Sequence, residues 1–578
     1  MKKSVNRHAE IPNLWVITGL IALTFGAYSN ALSGDYIWDD QFQVLRNAQI
    51  RDFSNIPHAF TTAVLAFAHK AFEHSNYYRP LHTVGYMVAY SIGGIAPWPY
   101  HLLNIALHAI ATVFVYLLCR ELRLSSFASI LAGAIFAVHP IHTEVVAWIA
   151  GLPDAGCGAF YLISLWAYLR HVRLRKPAWL GVSAFAFLVA LLFKEMAITL
   201  PAVILALMVY DGRVFHRKIR DIVLELGPYA LVAAVYLGMR FAVFGFVVTT
   251  HVNIQASTWD WISLGVHAFG QYIRYSLVPY PLAAFHLIPT HFADRIAITL
   301  LYGIITLIAC VAVWLARKRI PAMPLWLVVF AVMLVPVFYF KGISLTYFAE
   351  RYLYTPSIAV AVVLALVIDC LKRSPKFIVS GILILLFTAM TLQRNQDWTD
   401  SESLYNATLR VYPEAVVFRI NLAETYVKAN RDSDARFHLE QALAHLQNSI
   451  YFHPANEDAR VYLNLAAIAA RKMEYTQARD YLKKALQINP ESGAAYVYLG
   501  GVMMESEKDF ESAMSQFKKA MELEPLNEVA YDYMGAALFN LARYPEALKY
   551  FQEALTINPA NNEVKSHLIM VNEILKAH

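Results

Sequence analysis

Two adjoining stretches decide the fold: residues 377–393, FIVSGILILLFTAMTLQ, and residues 397–413, DWTDSESLYNATLRVYP. The first carries no charge over a length close to the roughly 20 apolar residues that a bilayer-crossing helix needs. The second is polar and acidic, so two physically different bodies meet near Asn395. Working outward toward the amino terminus, ten further apolar runs appear near residues 13–31, 98–119, 125–138, 155–170, 178–193, 196–210, 223–246, 296–316, 322–340 and 352–371. The chain of 578 residues is 58% hydrophobic and only 16% charged, against about 25% charged in soluble globular proteins. A single cytosolic domain is thereby excluded. Residues 1–396 hold 30 Lys and Arg against 17 Asp and Glu, and residues 397–578 hold 18 against 25, so the net charge of +6 divides into +13 and −7. Because the basic residues lie between apolar runs rather than on one soluble face, nucleic-acid binding is a poor reading of the overall basicity.

Charge tests the spans independently, since Lys and Arg collect in short cytoplasmic loops. With the amino terminus inside, the inner segments are Lys2/Lys3/Arg7, Arg120/Arg123, Arg170/Arg173/Arg175/Lys176, Arg213/Arg217/Lys218/Arg220, Arg317/Lys318/Arg319 and Lys372/Arg373/Lys376, which together hold 19 of the 30. Every second junction is basic. About eleven spans, an odd number, put the tail outside the cytoplasm. Cys119, Cys157, Cys310 and Cys370 lie within or beside apolar runs without CxxC spacing and suggest neither a disulfide framework nor a zinc ribbon.

From about Pro413 a period of 34 to 36 residues takes over, marked by Pro454, Pro490, Pro525 and Pro559, with Ala478, Ala513 and Ala547 at matching places. The last unit reads Tyr531, Met534, Gly535, Leu538, Ala547, Phe551, Ala554, Pro559, the alternation of large and small residues that interlocks the two helices of a tetratricopeptide repeat. Residues 414–452 form a longer first unit and 560–578 a capping helix. The fold class is therefore all-α: a polytopic membrane bundle over residues 1–396, with a first outer loop at 32–97, followed by an α-solenoid over 397–578. Such arrays present a concave surface that takes a peptide or protein segment; a spacer arm is the plainer alternative.

Eleven of the 17 acids of the membrane part fall at outer ends or loops: Asp35, Asp39, Asp40, Asp52, Glu73, Glu144, Asp154, Glu195, Asp260, Asp294 and Glu350. Ionisable groups near the apolar layer are costly and mark sites, so chemistry is sought on that face. Asp39 and Asp40 suit a general base, because partial burial and mutual repulsion raise one of the pair toward working pH; solvated acids in an interfacial turn are the equal alternative. His139, His142 and Glu144 are metal-ligating residue types, but their spacing is not HExxH, and histidines hydrogen-bonding at the interface are favoured. Arg79 and Arg351 sit where a lipid phosphate would be neutralised. Lys194 either shares that task or pairs with its neighbour Glu195.

The ordered series Trp38-Asp39-Asp40, Tyr78-Arg79-Pro80-Leu81, Pro97-Trp98 with His101-Leu102-Leu103-Asn104 and His108, Phe136-Ala137-Val138-His139-Pro140 with His142-Thr143-Glu144, Lys194-Glu195 and Glu350-Arg351-Tyr352-Leu353-Tyr354, then the repeats, resembles the transmembrane and tetratricopeptide-repeat-containing O-mannosyltransferases and their bacterial relatives. The resemblance implies a glycosyltransferase C-type fold in which a polyprenyl- or dolichyl-phosphate-linked sugar, mannose or another hexose, passes to an acceptor hydroxyl, a protein Ser or Thr, on the outer face. An acid of the first outer loop would be the base, here Asp39 or Asp40. Arg79, Arg351 and Lys194 would hold the donor phosphate, while His139, His142, Glu144, Glu195 and Glu350 would orient sugar or acceptor, with inversion at the anomeric carbon. Phosphate leaves readily, so no cofactor or metal is required, although a divalent cation stays open. The array would hold a protein or peptide acceptor. One departure is that Ala150-Gly151-Leu152-Pro153-Asp154 lacks the basic residue that relatives often carry before the acid. A bacterial inner membrane with a periplasmic array is the expected location, or an endoplasmic reticulum membrane with a lumenal array in a eukaryote. Two other readings stay open: a non-catalytic membrane-anchored scaffold for envelope assembly, and a metal-dependent hydrolase built on His139, His142 and Glu144.

Overall fold

The computed structural model describes residues 13–64, 77–216, 218–246, 257–289, 292–340, 347–447 and 456–577. Lys2, Lys3, Arg7, Glu73, Arg217 and Pro454, used above, lie outside the described residues. Among the described residues the regular elements are helical, and each of the eleven apolar runs falls on a helix. Trp98–Glu121, Ile149–Leu174, Ile219–Phe244, Ala293–Ala316 and Arg373–Asp397 are long and apolar enough to cross a membrane, and Ser126–Val138 joins Pro140–Ala147 across a 46° bend as a sixth. These make an integral membrane protein. The other five, Leu14–Ala27, Pro177–Phe193, Glu195–Tyr210, Met323–Phe338 and Ser357–Asp369, have 10–17 residues. At 1.5 Å per residue, a 14-residue helix reaches only about 21 Å of the roughly 30 Å hydrocarbon core, so length and composition give five crossings, or six with the bent pair, and do not confirm the expected eleven.

Trp98–Glu121 is the central helix, packed on Leu14–Ala27, Ser126–Val138 and Leu152–Leu174. Helix Pro80–Gly93 forms over the apolar stretch of the outer loop that runs to Ile95, a stretch expected to lie along the interface. A longer helix has no continuous apolar run. Thr258–Leu277 opens with a capping box between Ser257 and Asp260; it buries Ser263, His267 and Gln271 on one face and shows Trp259, Ile262 and Val266 on the other, so its polar face hides it from any count of continuous apolar residues.

The described basic loops gather at one end of the bundle. Arg170 and Arg173 reach Glu121 at 3.1 and 2.9 Å, Ser125 and Lys376 both reach Asp369 at 2.6 Å, and Arg319 bonds the Cys370 carbonyl at 3.3 Å. Trp98–Glu121, about 36 Å long, separates these loops from the opposite end, where the His101 ring lies 3.2 Å from the Gly34 carbonyl.

The array begins at that opposite end. Helix Arg373–Asp397 stops, Ser401–Val411 turns the chain, and four helix pairs follow: Val416–Lys428 with Asp432–Gln447, Glu457–Arg471 with Tyr475–Ile488, Gly493–Glu507 with Phe510–Leu523, and Glu528–Asn540 with Tyr544–Ile557, then the terminal helix Asn562–Ala577. Ala547 and Ala554 are fully buried. A Cβ on Gly535 would stand 2.7 Å from the Phe551 ring, which is why the last unit pairs a glycine in its first helix with an aromatic in its second. The array arches over the outer loop: the Trp38 ring meets Phe418 edge-on at 5.5 Å, Arg46 pairs with Glu528 at 3.0 Å, and Arg51 donates to the Thr556 carbonyl at 3.4 Å.

Candidate active site

The outer loop turns sharply at Trp38, whose φ of 54° is left-handed. That conformation is strained for a bulky residue and persists only where the surroundings hold it. Here the indole is stacked on Trp148 at 5.8 Å and capped by Phe418. The turn sends the two following acids to different places. Asp40 is fully buried, its Oδ2 accepting from the Ile37 N–H at 3.0 Å and its Oδ1 from the Ala150 N–H at 2.9 Å. Next to Ala150, a Cβ on Gly151 would stand 2.2 Å from the Val145 carbonyl oxygen, so only glycine lets this segment close on Asp40. Asp39 instead opens into a cavity of about 420 Å³. Burial pushes the Asp40 carboxyl well above the usual carboxylate range, two backbone donors notwithstanding. Desolvation by the surrounding protein also raises Asp39, with the charge of Arg351 acting in the opposite sense.

Three ion pairs stand in or at the cavity wall. Lys194 Nζ lies 2.7 Å from both carboxylate oxygens of Asp154, so the cation partnering Asp154 comes from a neighbouring helix end and not from the residue before it. Arg79 holds Glu195 bidentately through Nε at 3.1 Å and Nη2 at 2.6 Å. Arg351 binds the buried Glu144 through its backbone N–H at 2.8 Å and through Nη1. Its side chain is 23% exposed, and Nε and Nη2 have no partner among the described residues. Of the three cations, Arg351 keeps the most free donors facing the cavity.

The structure brings Asp39, Arg79, Asp154, Lys194, Glu195 and Arg351 to one cavity, with Glu144 directly behind Arg351. It does not bring the histidines there. His139 Nε2 faces the Ser276 carbonyl at 3.0 Å and its Nδ1 accepts from the Ile141 N–H at 3.2 Å. His142 uses Nδ1 on the Phe136 carbonyl at 2.9 Å and Nε2 on Ser357 Oγ at 2.7 Å. Glu350, fully buried, accepts from the Ala283 N–H at 2.6 Å and from His286 at 3.0 Å, and lies 3.6 Å from Arg394. His139, His142 and Glu350 join wall segments together outside the cavity lining; both histidines have their ring nitrogens engaged, while Glu350 Oε2 has no hydrogen-bond partner among the described residues. Nor do His139, His142 and Glu144 form a metal site; among the described residues no three such groups converge. Two of the outer acids are caps, Asp52 accepting from the Ser54 N–H and Asp260 from the Ser257 N–H, each at 2.8 Å.

Residues that sequence reasoning missed also line the cavity, chief among them Gln43 and His82. His82 follows Tyr78-Arg79-Pro80-Leu81 directly and is an ionisable residue in an outer helix, which was the available signal.

An open carboxylate thus faces a rim of guanidinium and ammonium groups, in a helical membrane unit under a repeat array. Residues 80–237 match the family profile of dolichyl-phosphate-mannose-protein mannosyltransferase, and residues 379–572 that of the tetratricopeptide repeat protein 21 C-terminal ARM domain. The chain is similar to proteins named Protein O-mannosyl-transferase: the TMTC2 protein of Xenopus laevis is 35% identical over 207 residues, 34% of this chain and 24% of that protein. The TMTC2 protein of Homo sapiens is 35% identical over 213 residues, 35% and 24% of the two chains, and the Tmtc1 protein of Drosophila melanogaster 36% over 189 residues, 32% and 21%. The chain thus spans about a quarter of the length of the curated relatives it matches. Among solved structures, the crystal structure of MamA protein is 25% identical with a TM-score of 0.21, covering 28% of this chain and 84% of that one.

Proposed function

We propose that the membrane unit, residues 1–396, transfers a mannosyl or other hexosyl residue from polyprenyl phosphate to a Ser or Thr hydroxyl of a protein held by the array, residues 397–578. One observation carries this: Asp39 opens into the same cavity toward which Arg351 keeps unpaired donors. Asp39 takes the proton of the acceptor hydroxyl as its oxygen bonds to the anomeric carbon. The bond from that carbon to the phosphate oxygen breaks, its electron pair stays on the phosphate, and Arg351 holds the charge that develops, with Arg79 and Lys194 adding their fields. A single displacement inverts the anomeric configuration. Asp40 holds the turn that aims Asp39. An apolar groove of about 750 Å³, lined by Trp261, Phe269, Phe338 and Phe340, meets the cavity at Tyr339 and suits a prenyl chain.

The cavity and the array share the end of the bundle opposite the basic loops, which by the positive-inside rule supports a reaction on the extracytoplasmic face, the periplasm in a bacterial inner membrane. The test supplies the full-length protein with a panel of radiolabelled polyprenyl-phosphate sugars and follows release of free polyprenyl phosphate. Asp39→Asn should lower transfer by about 10²–10⁴-fold, the usual worth of a general base, while the protein still inserts and folds. Unchanged transfer in both Asp39→Asn and Asp40→Asn would reject the base. A detached array that restored function to a deletion strain would favour the scaffold instead.

A further inference from the structure

One polar side chain in the cavity is not used by that mechanism. His82 lies in the first turn of helix Pro80–Gly93, which Arg79 precedes. It is 3% exposed, and neither ring nitrogen has a hydrogen-bond partner among the described residues. The ring rests edge-on against Tyr86 at 4.4 Å, and the Tyr86 hydroxyl is taken up by Gln43 and the Ile149 carbonyl, both at 3.3 Å. Buried polar atoms are normally paired, and one left without a partner is costly; here the orphaned atoms belong to a residue lining the cavity that holds Asp39 and Arg79. Burial, then the charge of Arg79, pushes the imidazole down to about 3. Across ordinary pH the ring is neutral and offers one N–H donor and one acceptor. That pair matches a hydroxyl, which gives and takes one hydrogen bond. It does not match phosphate, which wants donors only. The acceptor brings one reacting hydroxyl, which Asp39 engages, whereas a hexose brings several more into the same space.

We infer that His82 is a specificity-determining residue whose imidazole hydrogen-bonds a ring hydroxyl of the transferred sugar. The inference rests on the transferase reading above and adds which part of the donor this residue recognises. A site built around a substrate hydroxyl discriminates against the analogue that lacks it, so deoxygenated donors read the contact directly.

The experiment uses the full-length protein in detergent, with polyprenyl-phosphate mannose taken as the native donor and a set of its analogues each lacking one sugar hydroxyl, on the wild type, His82→Phe, which keeps a flat ring without polar atoms, and His82→Gln, which keeps a donor and an acceptor. Wild type should lose about three- to tenfold in kcat/KM with one particular deoxy donor, the ordinary worth of a neutral hydrogen bond. His82→Phe should lose the same factor on the native donor and nothing further on that deoxy donor, while His82→Gln recovers part of the loss. A loss in His82→Phe of equal size on every donor would mark a merely structural role and overturn the inference. So would no loss at all, or a loss confined to the KM of the acceptor and blind to donor deoxygenation. Wild-type protein that transfers from no donor would instead bring down the transferase reading itself, an outcome distinct from these.

Discussion

The two ends of the bundle carry the same kinds of charged residue and use them differently. At the inner end Arg170 and Arg173 share Glu121, and Lys376 pairs with Asp369; every acid described there has its cation. At the outer end Arg79, Lys194 and Arg351 are also paired, with Glu195, Asp154 and Glu144, but the pairs stand around a cavity, Arg351 has donors to spare, and the Asp39 carboxylate accepts no hydrogen bond among the described residues. Ion pairs alone therefore do not mark a site in this membrane protein. What sets the outer end apart is an open cavity in which charge balance is left incomplete by one acid, with an uncommitted cationic face across from it.

The largest test of that contrast within the outer end concerns Arg351. Removing the arginine alone would strand a buried Glu144, and an uncompensated buried charge destabilises strongly, so the informative variant is Arg351→Met with Glu144→Gln. The double variant should fold, because both partners are neutralised together, yet transfer should fall by about 10²–10³-fold as the departing phosphate loses its counter-charge. Full activity in a folded double variant would show that the spare donors of Arg351 are irrelevant and remove half of the comparison.

A smaller effect is expected in pH dependence. Asp39 works as a base only when ionised, and desolvation raises it above the ordinary carboxylate range. Transfer should therefore climb by up to about tenfold per pH unit on the acid side and level off above a midpoint that lies higher than the roughly 3.9 of a solvated aspartate. Because the Arg351 charge pulls Asp39 down, the double variant should move this limb to higher pH. Rate profiles of the two proteins over the acid range decide it. An acid limb at the solvated value, or one that stays put when Arg351 is removed, would show that Asp39 is not the titrating base.

Much of this organisation was legible in the sequence, because the signals concerned are local. Each repeat buries its own small residues, so Ala478, Ala513 and Ala547, all fully buried, recur in the sequence as they do in space. The apolar runs and the basic junctions are equally local properties of the chain. Partner choice is not. Lys194 and Glu195 are neighbours that look like a pair, but Lys194 is extended, with φ −159° and ψ 136°, and Glu195 begins a 3₁₀ turn, so their side chains part, one toward Asp154 and the other toward Arg79. His139, His142 and Glu144 are neighbours in sequence, but the chain bends between Val138 and Pro140 and each faces a different segment of the wall. His82 was passed over because its meaning lies in what it fails to bond, which only the folded surroundings reveal.

The smallest expected effect is at the inner end. Glu121, whose side chain is 5% exposed, is held by two arginines. Arg170 is itself fixed between Trp166 and Trp179, at 5.5 and 5.2 Å from the ring centres, so it stays in place when its neighbour is removed. Arg173 is 30% exposed, and an exposed partner of this kind contributes about 0–1 kcal/mol. Arg173→Met should consequently leave Glu121 paired, shift thermal unfolding in detergent only slightly, and leave sugar transfer at the wild-type rate. A fall in transfer approaching that of the Arg351 and Glu144 double variant would mean that the inner ion pairs are coupled to the cavity across the length of Trp98–Glu121, and that the two ends are one device and not two.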